Sequence, residues 1–436
     1  MVTDSALRAG AVRLPRRRSL ALNSAGLVAG KAVQMGTGYL FWLVAARTVS
    51  VHEVGVAAAA VSAVMLCTQL GLLGSGAASI VMLGRDRAPV SEILGSALAV
   101  VTTASAAVAV VCLMAIGGLS DSLHVVASDR WFAGLFVLAA VFGTVIICFD
   151  QVSVALARGD QVLPRYLVSG TLSVALLLVA GVRSTSLAAG AVFACWAVDA
   201  TISSLVGWYQ TRRWLGRWVR PRFTAAPARE LLRLGLPNHA LTLTERAPAL
   251  LVPVLTAVVA SPTITAGWYP AWMMAWVAYT APVAVGLAQF SDIVRRPDRI
   301  RETTVAALRW SLLLGGSIAV VLVIGARPLL SILGREYAES STGALRLLAV
   351  GVVPYAVVQA YNSVCRARQR LAEATATGLI LGGAACTATV VVADRGTTMM
   401  AAAWVTVFTL GAAWCGTRLL NMIRERPPLV LLTATH

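Results

Sequence analysis

The chain has 436 residues, of which 58% are hydrophobic and 13% charged, and its formal net charge is +17. A soluble protein carries about 25% charged residues, and a nucleic-acid-binding protein needs a soluble basic face with aromatic partners. The composition therefore excludes both classes. Apolar runs longer than the ~20 residues that cross a bilayer recur from end to end, which indicates a polytopic membrane protein.

The apolar runs predict twelve transmembrane helices, because only helices satisfy their own backbone groups inside lipid. In the first half the predicted spans are 22–46, 54–83, 93–117, 131–157, 166–182 and 187–209. In the second half they are 236–260, 266–290, 305–326, 344–365, 372–393 and 399–416. We therefore expect an all-α integral membrane protein.

The cations are distributed unequally between the two sides of the predicted membrane. The segments before the first span, after each even-numbered span and after the last span hold 26 of them, and the alternate loops hold 6. Cytoplasmic loops carry the excess of Lys and Arg. Both termini and the loop at 210–233 are therefore predicted to be cytoplasmic, and the segment 335–340 to be external.

The two halves of the chain resemble each other. Gly55 and Gly267 occupy equivalent junctions at an offset of 212, and Arg158 and Arg368 follow the fourth and tenth spans at an offset of 210. A duplication of six spans predicts two six-helix lobes related by a pseudo-two-fold axis along the membrane normal. The expected parts are a basic N-terminus (1–21), an N-lobe (22–209), a basic linker (210–235), a C-lobe (236–420) and a tail (421–436).

Three short motifs carry a resemblance to a known family. They are "FWLVAARTVSVHEVG" (41–55) around the end of the first span, "LLRLGLPNHA" (231–240) at the start of the seventh, and "SILGREYAES" (331–340) after the ninth. Together with the twelve spans, they resemble the polysaccharide flippases, whose superfamily includes multidrug and toxin extrusion antiporters and lipid II flippases. The match is partial, since the family often has Pro-Glu-Glu-Phe-Gly where this chain has "VHEVG" (51–55).

The resemblance implies alternating-access export of a polyprenyl-diphosphate-linked saccharide to the outer leaflet of a bacterial cell membrane, for cell-surface polysaccharide biosynthesis. The implied partners are that substrate, membrane lipids and a coupling H⁺ or Na⁺. No enzyme activity, nucleic acid or cofactor is expected. The seven cysteines show no metal-ligand or redox spacing and the four histidines are scattered, so no metal site is predicted.

Ionisable residues inside the predicted spans are the first candidates for function. Lys31, the only lysine among 36 cations, lies in the first span with Gln34 one turn away. The 212-residue offset places Arg246 at the matching depth of the seventh span. A lysine suits a phosphate as a compact point charge. We predict that Lys31, Gln34 and Arg246 bind an anionic head group, with Lys31 facing Arg246 across the lobe interface rather than a carboxylate of its own lobe.

Three carboxylates and one polar stripe complete the predicted site. Asp199 and Glu245 are the candidates for binding the coupling ion, because isolated carboxylates at midmembrane are costly unless they are used or paired. Asp150 is the third, and it lies two turns from Arg158, with which it is expected to pair. Along the tenth span, one helical face presents side chains suited to sugar hydroxyls: Tyr355, Gln359 and Asn362.

Other interpretations remain open. The buried charges of both halves also fit a purely structural role in which they neutralise one another. A multidrug or organic-cation antiporter would share the fold, but the two intramembrane cations disfavour it. Another twelve-helix transporter, of the major facilitator type, would have Gly-x-x-x-Asp-Arg-x-Gly-Arg after the second span. Here "LGRDRAPVSE" (83–92) lacks the final Gly-Arg.

Overall fold

The computed structural model describes residues 20–83, 89–119, 123–155, 158–183 and 188–424. Most of the predicted basic N-terminus (1–19) and of the tail (425–436) lies outside the described residues. The described part is almost entirely helical, with no strand in it. The prediction of an all-α membrane protein is confirmed.

Helices follow one another with short breaks. In the first half they are α1 (Leu20–Thr48), α2 (Val51–Gly71), α3 (Ser75–Leu83), α4 (Val90–Leu119), α5 (His124–Ser128), α6 (Arg130–Ala155), α7 (Val162–Arg183) and α8 (Ala189–Leu215). In the second half they are α9 (Ala225–Val259), α10 (Pro262–Arg295), α11 (Ile300–Leu333), α12 (Arg335–Val350), α13 (Val352–Ala367), α14 (Leu371–Val391) and α15 (Thr397–Arg424).

Ten described segments are long and apolar enough to cross a membrane, and α12 with α13 forms an eleventh if this pair, bent by 41°, is one span. The remaining long helix, α1, has 29 residues. Each predicted span therefore has a helical counterpart in the described chain, although several bounds differ.

One predicted span and one predicted loop differ from what the sequence pattern indicated. The predicted span 54–83 is interrupted between α2 and α3, where Leu73 (φ 46°) and Gly74 (φ 72°) adopt left-handed backbone. The segment 335–340 is predicted to be a loop, but it is helical, because α12 begins at Arg335. Its position outside the membrane stays a prediction. Its charges resemble those of a loop, but Arg335 and Glu339 form an i,i+4 ion pair of 2.7 Å that supports a helix.

The predicted basic linker (210–235) is mostly helical. Helix α8 continues to Leu215 and α9 begins at Ala225, so that only 216–224 lies outside helices. The chain divides into two compact units, Met1–Leu243 and Thr244–His436. The division falls within α9, rather than in the predicted linker at 210–235.

Equivalent helices pack through glycine in each unit. A Cβ atom on Gly170 of α7 would lie 2.4 Å from Thr37 Oγ1 of α1, and one on Gly382 of α14 would lie 2.5 Å from Pro248 Cγ of α9. Small residues let membrane helices approach closely. The two glycines are 212 residues apart, so this packing repeats at the offset that the sequence predicts.

Candidate functional site: one charge cluster in each unit

The first cluster surrounds Asp150 of α6. Arg165 Nη2 donates to Asp150 Oδ1 at 2.9 Å, Tyr166 Oη donates to Oδ2 at 2.7 Å, and Lys31 Nζ donates to Oδ2 at 2.9 Å. Lys31 also donates to Gln34 Oε1 at 3.0 Å. Three helices, α1, α6 and α7, thereby supply one carboxylate and two cations to a single cluster.

The two cations of this cluster differ in exposure. The Arg165 side chain is 1% exposed, whereas that of Lys31 is 52% exposed. A buried arginine needs a carboxylate partner, and Asp150 supplies it. Since Arg165 already neutralises Asp150, the charge of Lys31 is in excess and can be offered to a ligand.

Asp199 of α8 lies beside this cluster in a different setting. Its carboxylate accepts a 2.5 Å hydrogen bond from Ser169 Oγ of α7, which in turn accepts a 2.7 Å bond from Ser203. The charge of Lys31 acts on Asp199, but within the described chain no cation forms an ion pair with it. A carboxyl group held by a neutral hydroxyl can take up and release a proton without breaking an ion pair.

The second cluster surrounds Glu245 of α9. Asn362 Nδ2 donates to Glu245 Oε1 at 2.9 Å, and Arg366 Nη2 donates to Oε2 at 2.8 Å. Both carboxylate oxygens are therefore occupied by α13. Arg246, the next residue of α9, is exposed and forms no ion pair or hydrogen bond with the described residues, so it is an excess cation beside this cluster.

The predicted polar stripe of the tenth span adjoins Glu245. Tyr355, Gln359 and Asn362 are 4–6% exposed, and Gln359 Nε2 donates to Tyr355 Oη at 2.9 Å. Since Asn362 is bound to Glu245, the amides of the stripe bond within the unit. This arrangement favours a role in holding Glu245 over direct contact with sugar hydroxyls.

Two predicted pairings are wrong. Lys31 bonds to Asp150 of its own unit, contrary to the expectation that it has no carboxylate there. Asp150 is bound by Lys31, Arg165 and Tyr166 rather than by Arg158, whose guanidinium lies 5.5 Å from the ring of Trp214. The physical reason is the same in both cases, because a carboxylate in a span takes its partners from the helices packed against it.

Arg165 and Arg366 are not among the predicted site residues, since both fall in predicted loops. Arg366 lies four residues after Asn362, so it continues the stripe of Tyr355, Gln359 and Asn362 at helical spacing. That spacing would have identified it. Arg165 had no comparable signal, because a single arginine at the start of a helix is typical of a membrane boundary.

No group of three or more potential metal-ligating side chains occurs among the described residues. The two clusters combine carboxylates and cations with hydroxyl and amide groups.

The fold is similar to those of solved transporter structures. The lipid II flippase MurJ, in its inward closed conformation, matches with a TM-score of 0.67 and 13% identity over 94% of this chain and 89% of that chain. A MATE transporter in complex with MaL6 matches with a TM-score of 0.63 and 12% identity over 93% of this chain and 96% of that chain. The chain has the fold of the MOP superfamily transporters.

A further structure with this MOP fold is a transporter from Pyrococcus furiosus, for which a reverse polarity of the binding pocket suggests a different function. It matches with a TM-score of 0.59 and 13% identity over 93% of this chain and 96% of that chain. No protein family and no curated protein matches the chain by sequence. The resemblance predicted from the motifs is confirmed at the level of the fold.

Proposed function

We propose that the chain is an alternating-access flippase of a bacterial plasma membrane, with both termini in the cytoplasm. Its proposed substrate is a polyprenyl-diphosphate-linked saccharide, which it would export from the cytoplasmic to the outer leaflet for cell-surface polysaccharide synthesis. The observation that carries the proposal is the excess cation in each unit. Lys31 stands beside an already neutralised Asp150, and Arg246 stands beside an already neutralised Glu245.

The excess charges match the proposed head group. A diphosphate diester is anionic, and Lys31 and Arg246 are cations whose neighbouring carboxylates are already bound by Arg165 and Arg366. Lys31 acts as a compact point charge with three donors, which bind Asp150, Gln34 and the Tyr166 hydroxyl. A phosphate oxygen can replace these acceptors without exposing Asp150, because Arg165 and Tyr166 remain bound to it.

Coupling to protons would act through Asp199. With Asp199 protonated, the group formed by Lys31, Arg165, Asp150 and Asp199 carries a net charge of +1, and with Asp199 ionised it is neutral. An anion therefore binds better to the protonated state, and by linkage its binding favours proton uptake. Asp150 and Glu245, the other two predicted coupling residues, are each held by an arginine, which leaves Asp199 as the preferred site.

A multidrug antiporter is the second candidate, since MATE transporters have the same fold. The excess positive charge disfavours it, because an organic cation would be repelled by Lys31 and Arg246. Substrate charge therefore separates the two functions.

Transport of a fluorescent polyprenyl-diphosphate-linked saccharide in proteoliposomes tests the proposal. Lys31→Ala is expected to reduce transport at least about tenfold, the equivalent of about 1.4 kcal/mol, and Lys31→Arg to restore part of it. The matched control is Arg335→Ala, which removes a cation that is 90% exposed and paired with Glu339 on its own helix.

Full transport by Lys31→Ala, with normal protein abundance, would overturn the role of Lys31. Transport of organic cations by the wild type, with none of the lipid-linked saccharide, would favour the antiporter.

A further inference from the structure

The last turn of α8 and the chain that follows it form a basic and aromatic surface, which we call the basic segment (212–223). Helix α8 ends where Gly216 adopts left-handed backbone (φ 71°) and its N–H bonds to Arg212 O at 2.9 Å. Glycine adopts this conformation without strain. Pro221 then disfavours a new helix, so the segment continues outside helices to Thr224.

The basic segment is anchored to unit 1 through its backbone. Val219 is 4% exposed, and its carbonyl accepts a 2.6 Å hydrogen bond from Trp208 Nε1. Further along, the N–H of Arg222 donates to Gly95 O of α4 at 3.0 Å. The segment is thus held on both sides of Arg220, and its side chains project from a fixed backbone.

The side chains that project from the basic segment are cationic and aromatic. All five arginines are exposed: Arg212, Arg213, Arg217, Arg220 and Arg222. Trp218 is 51% and Phe223 62% exposed. The Arg212 guanidinium lies 4.8 Å from the centroid of the Trp218 ring, and Arg217 donates to Ser91 of α4.

Opposing charge is scarce along this surface. No acidic residue occurs from Gln210 to Arg229. On the adjoining α4, the acidic residue next to Ser91 is Glu92, which is half-buried. The basic segment therefore carries several positive charges that are not neutralised within it.

We propose that the basic segment binds the head groups of anionic phospholipids at the membrane surface. It begins in the last turn of α8, a 27-residue helix that is long and apolar enough to cross a membrane, and so lies where head groups are found. Each basic residue next to a span raises the affinity for anionic lipid by about fivefold. Exposed Trp and Phe are favoured at the same level, because aromatic rings anchor at the interface. The surface includes neither Lys31 nor Arg246, so the proposal does not depend on what the protein transports.

Fluorescence quenching by brominated lipids tests this proposal on the full chain in nanodiscs. Brominated phosphatidylglycerol is compared with brominated phosphatidylcholine at equal mole fraction, and Trp218→Phe identifies the part of the emission that comes from the segment. We expect Trp218 to be quenched more by the anionic lipid than by the zwitterionic one, and the difference to shrink at high ionic strength.

The variant Arg213→Gln/Arg220→Gln/Arg222→Gln removes three cations whose side chains are exposed. The affinity of the segment for phosphatidylglycerol relative to phosphatidylcholine, as reported by quenching of Trp218, is expected to fall on the order of 100-fold, about fivefold for each arginine. The control changes three exposed arginines elsewhere, Arg327→Gln/Arg335→Gln/Arg395→Gln, and should keep the preference. Equal quenching by the two lipids in the wild type would overturn the proposal, as would a preference unaffected by ionic strength or retained by the first variant.

Discussion

Lys31 and Arg165 bind opposite oxygens of one carboxylate, that of Asp150, each at 2.9 Å. The two cations do not need this carboxylate equally. The Arg165 side chain is 1% exposed and that of Lys31 is 52% exposed, so only the arginine would be left as an unpaired buried charge if Asp150 were neutral. Asp150 thus has a structural partner and an exchangeable one.

The first prediction concerns stability. Asp150→Asn should lower the free energy of unfolding by about 3–5 kcal/mol, because it leaves the buried Arg165 guanidinium without its carboxylate. Lys31→Ala should lower it by less than about 1 kcal/mol, as for an exposed ion pair. Denaturation of the purified protein in mixed micelles measures both. Similar losses in the two variants would show that Lys31 is as structural as Arg165.

The second prediction concerns pH. Anion binding at Lys31 should tighten as the pH falls through the titration of Asp199, since the ionised carboxylate repels the anion and the protonated one does not. The groups that act on Asp199 are Ser169, Lys31 and Tyr166. Asp199→Asn should bind a diphosphate-linked substrate with little pH dependence, as measured by titration in detergent.

Glu339→Gln serves as the control for the pH experiment, because Glu339 is exposed and forms its ion pair with Arg335 on α12. It should keep the pH dependence of the wild type. If Asp199→Asn also keeps it, the titrating group is the substrate or another residue.

The apolar pattern predicted the class of fold but not the partners of the buried charges. Hydropathy indicates where a helix crosses the membrane, because it averages the apolar character of the side chains over a long segment. Pairing depends on which helices pack together and at what rotation. Sequence distance therefore pairs Asp150 with Arg158, two helical turns away, whereas in the fold Arg165 and Lys31 bind it.

The site was predictable where the pattern is local. The stripe of Tyr355, Gln359 and Asn362 lies on one face of α13 as its spacing required, and the same spacing reaches Arg366. The break at Leu73 and Gly74 was not predictable from hydropathy, since both flanking segments are apolar. It depends on left-handed backbone at two residues, and this conformation does not change the hydropathy of the segment.

The third prediction separates the two arginines near Glu245. Arg246→Gln should reduce transport of the anionic substrate with little loss of stability, because Arg246 is exposed and bonds to none of the described residues. Arg366→Gln should lower stability by about 3–5 kcal/mol, because it leaves the partly buried Glu245 with Asn362 as its only partner of this cluster. Transport normalised to protein in the membrane and denaturation midpoints measure the two effects. An Arg246→Gln variant that unfolds while Arg366→Gln remains stable would reverse the assignment.

The fourth prediction tests the close glycine contact that occurs once within each unit. A Cβ on Gly382 would lie 2.5 Å from Pro248 Cγ, whereas one on the adjacent Gly383 would meet nothing within 4 Å. Gly382→Ala should therefore cost about 1–3 kcal/mol through overpacking. Gly383→Ala should be neutral or stabilise α14 by about 0.5–1 kcal/mol, because alanine loses less conformational freedom in a helix.

Pro248→Ala removes the Cγ atom and leaves a Cβ at 3.5 Å from the new methyl group, an ordinary contact. The double variant Pro248→Ala/Gly382→Ala should therefore be more stable than the sum of the two single changes predicts, with a favourable coupling of about 0.5–3 kcal/mol. The cycle corrects for any effect of removing a proline from α9. Additive changes would mean that α9 and α14 move apart to admit the methyl group, and that close approach at Gly382 is not what holds these helices together.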